Sequence, residues 1–358
     1  MSPTTIVPPA SSRRTNSRGR RLDPLALLQS QARELDLERL RGLRDHSVVG
    51  HGDLPRDAVV ELCHLGARME ASDVASYHPL DGKLVITAFF EPSTRTRLSF
   101  ESAVARLDGK LLSVPDGKVT GVAKGESLQD IGEMFNSYGD LLVMRHTRTE
   151  AVQEIQAGLA VPLVNAGNGS GEHPTQALVD WYALLKWRPA LSEPEPAADQ
   201  RIHLGVVGTP GNMRAVKSFV FMALAFAPAI RRLTVVSELA DPFGADLHDA
   251  IERSSIPIEV TNDITEVLPE LDVVYMNSIA LLGDSYKQLG SRYRITTESP
   301  LRPDAVIMHP LARRDELDVS LDDSRHNLYF AQAAGAVYVR QALLVSLLGR
   351  VHRLPFFD

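Results

Sequence analysis

Hydrophobic positions recur along this chain with two alternating periods. Helical spacing of three and four residues begins near Asp23 and returns from Ala58 to Met69. Short apolar runs then predict strands at 83–90, 110–114, 140–144 and 161–165, with helices at 99–107, 128–138 and 173–187. Such alternation is typical of a parallel sheet that is covered by helices. The first half of the chain is therefore predicted to be a doubly wound α/β domain.

The same alternation restarts in the second half of the chain. Residues 188–200 are rich in proline and acidic residues, which predicts a linker. Strands are predicted after it at 202–207, 232–237, 256–260, 272–276 and 305–308. A strongly apolar helix at 333–350 must bury its surface. We therefore predict an α/β fold of two doubly wound parallel-sheet domains joined by helices, with the C-terminal helix packing back on the first domain.

The N-terminus differs in composition from the rest of the chain. Residues 1–21 contain five arginines, three prolines and no acidic residue, which is typical of disorder. We predict a disordered basic tail over 1–36, a first domain over 37–187, the linker at 188–200, a second domain over 201–332 and the returning helix over 333–358. A solvated leader is the expected role of the tail. A transit peptide, which the prolines disfavour, and an interaction arm are the alternatives.

Composition argues against several classes of function. The net charge of −7 disfavours broad binding to nucleic acid or to an anionic membrane. The longest uncharged apolar run, 219–230, is shorter than the about 20 residues of a membrane helix, and we expect no signal peptide. Cys63 is the only cysteine, so an intrachain disulfide and a cysteine-rich zinc site are excluded. We expect a cytoplasmic protein that binds small molecules.

Consecutive polar residues stand where a predicted strand runs into a predicted helix. They are Ser93, Thr94, Arg95 and Thr96. Backbone N–H groups and the helix dipole at such a position favour an anion, and a guanidinium makes paired hydrogen bonds with phosphate. The alternative is that Ser93 or Thr94 caps the helix and Arg95 is solvated. We interpret the segment as a phosphate site.

The segment 89–101 resembles the carbamoyl phosphate signature F-x-x-x-S-T-R-T-R-x-S-F-E of the aspartate/ornithine carbamoyltransferase family. Further segments match in the order of the family, and they are 143–146, 173–178, 309–311, 329–330 and 340–344. The resemblance covers residues 37–352. It is stronger to aspartate-specific than to ornithine-specific members, which usually have His-Pro-Cys-Gln where this chain has His-Pro-Thr-Gln.

The resemblance implies a carbamoyltransferase in which the first domain binds carbamoyl phosphate and the second binds an amino-acid-like amine. The product would be a ureido compound and phosphate, and the resemblance implies no metal or organic cofactor. Donors on the carbonyl oxygen would stabilise the charge that it gains in the transition state, and a glutamine side-chain oxygen would accept from the carbamoyl NH2. The implied catalytic residues are Arg95, Thr96, Arg145, His173 and Gln176. The implied carbamoyl phosphate ligands are these five with Ser93, Thr94 and Leu311, the last through its backbone carbonyl.

A glycine-rich segment after the second predicted strand matches a family loop that reaches into the active site of a neighbouring subunit. Thr120 takes the position of a family serine and Lys124 that of a family lysine. The resemblance therefore implies a shared active site and an obligate oligomer, a homotrimer or a multiple of trimers. The alternative is an ordinary solvated loop with an exposed lysine.

The acceptor side departs from the family pattern. Arg214 matches an arginine that holds an acceptor carboxylate, and Glu91 matches its partner in domain closure. Residues 277–280 read Asn-Ser-Ile-Ala where aspartate-specific members usually have Thr-Arg-x-Gln. We therefore expect an acceptor other than aspartate, with one carboxylate on Arg214, a neutral second group near Asn277 and Ser278, and Leu311 nearby. The alternatives are aspartate carbamoyltransferase of pyrimidine synthesis and a non-catalytic subunit that binds carbamoyl phosphate.

Overall fold

A computed structural model of the chain describes residues 22–30, 34–277 and 292–357. The chain divides into two units. The first comprises Leu27–Leu178 and the C-terminal segment from Ala336, and Val179–Gly335 forms most of the second. The division falls within two helices, before the predicted linker 188–200, where the turn Pro189–Ser192 buries Leu191.

Parallel strands form the centre of the first unit. The order of its described strands is β2-β1-β3-β4. The elements in chain order are α1 (Pro24–Ser30), α2 (Leu37–Gly42), α3 (Arg56–Ala71), β1 (Leu84–Phe89), α4 (Arg95–Arg106), β2 (Lys110–Val114), α5 (Leu128–Tyr138), β3 (Leu141–His146), α6 (Ala151–Gln156), β4 (Leu163–Asn168) and α7 (Pro174–Trp187). Strands β1, β3 and β4 are almost wholly buried, whereas the edge strand β2 is largely exposed.

The second unit repeats this architecture around a second parallel sheet. The order of its described strands is β7-β6-β5-β8-β9. The elements in chain order are β5 (Ile202–Val207), α8 (Arg214–Ala225), β6 (Ile230–Val236), α9 (Ala245–Glu252), β7 (Ile258–Thr261), α10 (Ile264–Val267), β8 (Val273–Met276), β9 (Val306–Met308) and α11 (Tyr329–Leu347). Buried side chains such as Val207, Val274 and Ile307 pack into one core with Tyr293 and Leu321.

Helix α11 returns the chain to the first unit from Ala336 onward. A Cβ atom on Gly66 of α3 would lie 3.2 Å from Cα of Val339, so the absence of a side chain lets these two helices approach closely. The predicted return of the C-terminal helix is confirmed. Within the described part of the chain α11 also has the length and composition of a membrane span, but 67% of the apolar window is buried inside the protein, as in a core helix.

The predicted α/β class with two parallel sheets is confirmed, and the differences lie at element ends. Helix α4 begins at Arg95 rather than at 99, because its first turn is polar and gives no apolar period. Helix α1 lies inside the predicted tail, and its Leu27 is fully buried, so the tail boundary at 36 is corrected to a position before Pro24. Residues 1–21 lie outside the described residues.

Candidate active site

The four polar residues 93–96, which form the polar motif, lie at the junction of β1 and α4. Thr94 occupies the N-cap position with helical φ and ψ of −76° and −58°, and its side chain makes no capping hydrogen bond. The first N–H groups of an α-helix have no acceptor within the helix, and the first turn of α4 contains no acidic residue. Arg95 is exposed and Thr96 is buried. Partial desolvation of the guanidinium by nearby protein atoms lowers the pKa of Arg95 from its usual value. The junction thus presents helix N–H groups and a partly desolvated cation to an anion.

Arg145 reaches the same junction from the neighbouring strand. It stands at the carboxyl end of β3, in register with Phe89 of β1. Its Nη2 donates to Oε1 of Glu91 at 2.7 Å, and its Nη1 lies 3.5 Å from Oγ of Ser93. The guanidinium is largely buried, with 14% of the side chain exposed. Arg145 therefore lies beside the polar motif, and Glu91 forms an ion pair with it.

His173 and Gln176 stand at the start of α7. His173 directly precedes Pro174, the first helical residue, and its side chain is buried. Its Nδ1 lies 3.4 Å from Oγ1 of Thr175, and its carbonyl accepts the N–H of Gln176 at 2.9 Å. Gln176 is half-buried one turn into the helix. Their assignment to the carbonyl oxygen and the carbamoyl NH2 stays a prediction.

Two buried asparagines hold the loop that leads to His173, and neither was predicted as a site residue from the sequence. Nδ2 of Asn165 donates to Oδ1 of Asn168 at 2.9 Å, and the same oxygen accepts the N–H of Glu172 at 3.0 Å. Oε1 of Glu172 in turn lies 2.9 Å from Nδ1 of His51. The available signal was a pair of amides at the end of an apolar run, where the strand continues to Asn168 instead of ending at 165.

The segment with Thr120 and Lys124 forms two short 3-10 turns, Gly117–Val119 and Gly121–Lys124. The hydroxyl of Thr120 donates to the carbonyl of Gly117 at 2.7 Å, and Lys124 is exposed. The role of these residues in a neighbouring subunit stays a prediction.

The acceptor residues belong to the second unit. Arg214 is the first residue of α8 and is half-buried. Asn277 directly follows β8 and is also half-buried. Both lie at the carboxyl edge of this sheet, where ligands of open α/β sheets bind. Ser278 and Ala280 lie outside the described residues.

Leu311 follows β9 in a turn that is fixed by buried polar groups. The Leu311–Ala312 peptide bond is cis, and Leu311 has φ of 56°. The N–H of Leu311 donates to Nδ1 of His309 at 2.8 Å, and Nε2 of His309 lies 2.9 Å from Oε1 of Glu316. Burial raises the pKa of Glu316, but hydrogen bonds from His309 and from the N–H of Arg314 outweigh it and keep the pKa below its usual value.

Two further arginines of the second unit have carboxylate partners. Nη1 of Arg292 lies 3.0 Å from Oε1 of Glu238, and Arg294 forms an ion pair with Asp318. Over the residues that the structure describes, no group of three or more His, Cys, Asp or Glu side chains is placed to hold a metal ion.

Comparison with known proteins assigns both halves of the chain. The model of the aspartate/ornithine carbamoyltransferase carbamoyl-P binding domain matches residues 46–186, and that of the Asp/Orn binding domain matches residues 200–347. The chain is 34% identical over 317 residues to the aspartate carbamoyltransferase catalytic subunit of Picrophilus torridus, covering 86% of this chain and 99% of the relative. It is 34% identical to the chloroplastic aspartate carbamoyltransferase of Oryza sativa, covering 86% of each chain.

The fold is similar to that of a solved aspartate transcarbamoylase. The structure from Trypanosoma cruzi in complex with carbamoyl phosphate aligns with a TM-score of 0.77 and 27% identity, over 86% of this chain and 98% of that one. A second structure of that enzyme, with carbamoyl phosphate and aspartate, aligns with a TM-score of 0.75 and 28% identity, over 86% of this chain and 97% of that one. The chain belongs to the aspartate/ornithine carbamoyltransferase family and is a carbamoyltransferase.

Proposed function

We propose that the protein transfers the carbamoyl group of carbamoyl phosphate to the amino group of aspartate, giving N-carbamoyl aspartate and phosphate. The observation that carries the carbamoyl phosphate part of the proposal is Arg145, which Glu91 holds beside Ser93 at the start of α4. The sequence alone favoured a different acceptor. The relative from Picrophilus torridus and the solved structure with carbamoyl phosphate and aspartate match this chain over 99% and 97% of their own lengths, and as aspartate enzymes they support aspartate more strongly.

The polar motif binds the phosphate in this proposal. Ser93 and Thr94 supply hydroxyl donors, and Arg95 supplies a guanidinium whose paired hydrogen bonds with the dianion offset the cost of its desolvation. The helix N–H groups of α4 add further donors without a cost of reorganisation. These contacts position carbamoyl phosphate and neutralise the charge of its phosphate, which is the leaving group.

The reaction itself needs few protein groups. The neutral amine nitrogen forms a bond to the carbonyl carbon, and the bond from that carbon to the bridging phosphate oxygen breaks. Thr96, Arg145 and His173 donate to the carbonyl oxygen as its negative charge grows, while Gln176 accepts from the carbamoyl NH2. The leaving phosphate takes the proton of the amine, so neither a side-chain base nor a metal or organic cofactor takes part.

Arg214 binds one carboxylate of the acceptor, with Asn277 and Leu311 as further partners. A second candidate is an amino acid with a neutral second group, and one observation favours it. The family Arg and Gln are replaced by Ser278 and Ala280, and the described cations Arg292 and Arg294 already have carboxylate partners.

The first experiment measures phosphate release from carbamoyl phosphate across a panel of amines. We expect kcat/KM for aspartate to exceed that for asparagine and for ornithine. Higher kcat/KM for asparagine would replace aspartate by the second candidate, and the double variant Ser278→Arg with Ala280→Gln should then shift the ratio toward aspartate. Carbamoyl phosphate binding without turnover of any amine would indicate a non-catalytic subunit.

The second experiment tests the proposed carbamoyl phosphate site (the donor site). Arg95→Ala should weaken carbamoyl phosphate binding at least tenfold and abolish phosphate release, because a charge-assisted bidentate contact is lost. Arg106→Ala is the matched control, since Arg106 is exposed at the far end of α4. Unchanged affinity in Arg95→Ala, measured by calorimetry, would overturn the donor assignment.

We also propose that the enzyme is a cytoplasmic homotrimer, or a multiple of trimers, with shared active sites. Thr120 and Lys124 would enter the site of the neighbouring subunit. The exposure of Lys124 supports this role, because its ammonium is not buried within its own chain.

A further inference from the structure

Arg340 connects the C-terminal helix to the helix that carries the polar motif. It lies on the part of α11 that belongs to the first unit, and only 2% of the residue is exposed. Its Nη1 donates to Oγ of Ser99, and its guanidinium lies 4.5 Å from the ring centroid of Phe100. One buried cation therefore contacts two successive residues of α4.

Ser99 links Arg340 to the first turn of α4. Its Oγ lies 2.6 Å from the carbonyl oxygen of Arg95 and 2.9 Å from that of Thr96. A serine hydroxyl has one proton and two lone pairs, so it can donate to these carbonyls while it accepts from Arg340. A charged donor on the oxygen polarises the hydroxyl and strengthens its own donation.

The position of the two carbonyls gives this chain of hydrogen bonds a functional consequence. Arg95 and Thr96 are the residues whose side chains are assigned to phosphate and carbonyl oxygen. Bonds from a serine to the preceding turn often bend a helix, and the fixed guanidinium restricts where Ser99 can lie. Ordering the turn before the ligand arrives lowers the entropic cost of binding.

We propose that Arg340 is a positioning residue of the donor site. Through Ser99 it holds the first turn of α4 in the arrangement that binds the carbamoyl phosphate dianion, and its buried positive charge favours the anion. The inference rests on the proposed donor site. It adds a residue more than two hundred positions away in sequence from the motif that it serves, since Arg340 and Ser99 are separated by 241 residues.

The test uses the full chain and the variants Arg340→Met, Arg340→Lys, Ser99→Ala and Arg340→Met with Ser99→Ala. Calorimetry measures the Kd of carbamoyl phosphate and of inorganic phosphate. We expect Arg340→Met and Ser99→Ala each to raise both Kd values about tenfold. The double variant should bind no more weakly than the worse single one, because both changes break the same path. Arg340→Lys should recover part of the affinity.

The matched control is Arg68→Met. Arg68 is a half-buried arginine of the same unit, 6.0 Å from the ring centroid of Phe356, and lies on α3. It should change stability without changing either Kd. In steady-state kinetics Arg340→Met should raise KM for carbamoyl phosphate and leave kcat at saturation within about twofold.

Three outcomes would count against the inference. If Arg340→Met and Ser99→Ala melt at a lower temperature but keep the parent Kd values, Arg340 is a packing residue only. Additive effects in the double variant would exclude action through Ser99. If Arg340→Met does not fold, an unchanged Kd in Ser99→Ala overturns the inference and leaves the proposed function in place. Failure of the parent to bind carbamoyl phosphate would overturn the proposed function as well.

Discussion

At the scale of single residues, the proposed carbamoyl phosphate site contains a partly buried ion pair between Arg145 and Glu91. Glu91 accepts from one nitrogen of Arg145 at 2.7 Å, which lowers the cost of burying the cation and fixes the plane of the guanidinium. The other terminal nitrogen faces Ser93. The carboxylate of Glu91, from the loop that also carries Ser93, therefore orients the guanidinium of Arg145 toward the polar motif.

His146, the neighbour of Arg145, makes this region sensitive to acid. Its buried ring accepts the N–H of Arg148 on Nδ1 at 3.0 Å. Burial and the charge of Arg148 lower the pKa of His146 from 6.5. The unfolded chain therefore binds a proton at higher pH than the folded one, and the free energy of unfolding should decrease as the pH falls from about 6.5 to the folded pKa.

Urea denaturation of the parent and of His146→Gln between pH 7.5 and pH 5 measures this effect. The free energy of unfolding of the variant should fall less over that interval, because the titrating group is gone. An NMR titration should give a midpoint below 6.5 for the His146 ring. Equal pH dependence of the two proteins would show that His146 does not contribute.

Single residues were predictable from the sequence where a contiguous motif carried them. Ser93 to Thr96 stand together in the chain, so their meeting at a helix start required no long-range information. Asn165 and Asn168 could not be assigned, because their role depends on how the loop to Glu172 closes. The pairing of Arg292 with Glu238 likewise appears only in three dimensions.

At the scale of elements, close packing of α5 and α6 supports the first sheet. A Cβ atom on Gly132 of α5 would lie 2.8 Å from the carbonyl oxygen of Ile155 in α6. A backbone atom cannot move aside without shifting its helix. Gly132→Ala should therefore lower the free energy of unfolding by about 1–3 kcal/mol, as measured by urea denaturation.

Gly42→Ala is the control for this prediction. Gly42 is the last residue of α2, and a Cβ atom there would have nothing within 4 Å. Alanine is the better helix former by about 1 kcal/mol, so Gly42→Ala should leave stability unchanged or raise it. A Gly132→Ala protein as stable as Gly42→Ala would mean that α5 and α6 are less tightly packed than described.

Strand positions were predicted well because buried parallel strands are continuous apolar runs. Strand β5 was predicted with its observed ends, Ile202 and Val207. Helix α5 was also predicted with its observed ends, Leu128 and Tyr138. The start of α4 was predicted four residues late, because its first turn begins with the polar residues Arg95 and Thr96 and shows no apolar period.

At the scale of the whole molecule, the proposed shared active site leads to a quantitative prediction. Lys124→Ala and His173→Ala should each be inactive. After dissociation and random reassembly of equal amounts, a site is intact when it joins His173 of one chain to Lys124 of the next. This occurs at about a quarter of the sites in any closed ring, so phosphate release should recover to about a quarter of the parent rate.

The double variant Lys124→Ala with His173→Ala is the control, because its mixture with either single variant contains no intact site. Inactive mixtures of the single variants, with hybrids verified by mass spectrometry, would place both residues in one subunit. A monomer in light scattering would also contradict the trimer.

The fold class of the whole molecule followed from the alternation of strands and helices. The strand order β2-β1-β3-β4 did not, because local sequence does not encode which neighbours a strand pairs with. The acceptor prediction had the narrowest basis, since it rested on a few departures from the family pattern, chiefly at residues 277–280, while the rest of the chain resembles aspartate enzymes.

The return of α11 imposes an order on synthesis. The first unit needs the segment from Ala336, which a ribosome makes only after the whole of Val179–Gly335. At about 5–20 residues per second, that interval lasts on the order of ten seconds. During it the surface around Gly66 and Ser99 lacks its covering helix. The nascent first unit thus carries exposed apolar surface while the second unit is made, and transiently exposed surface of this kind is prone to aggregation.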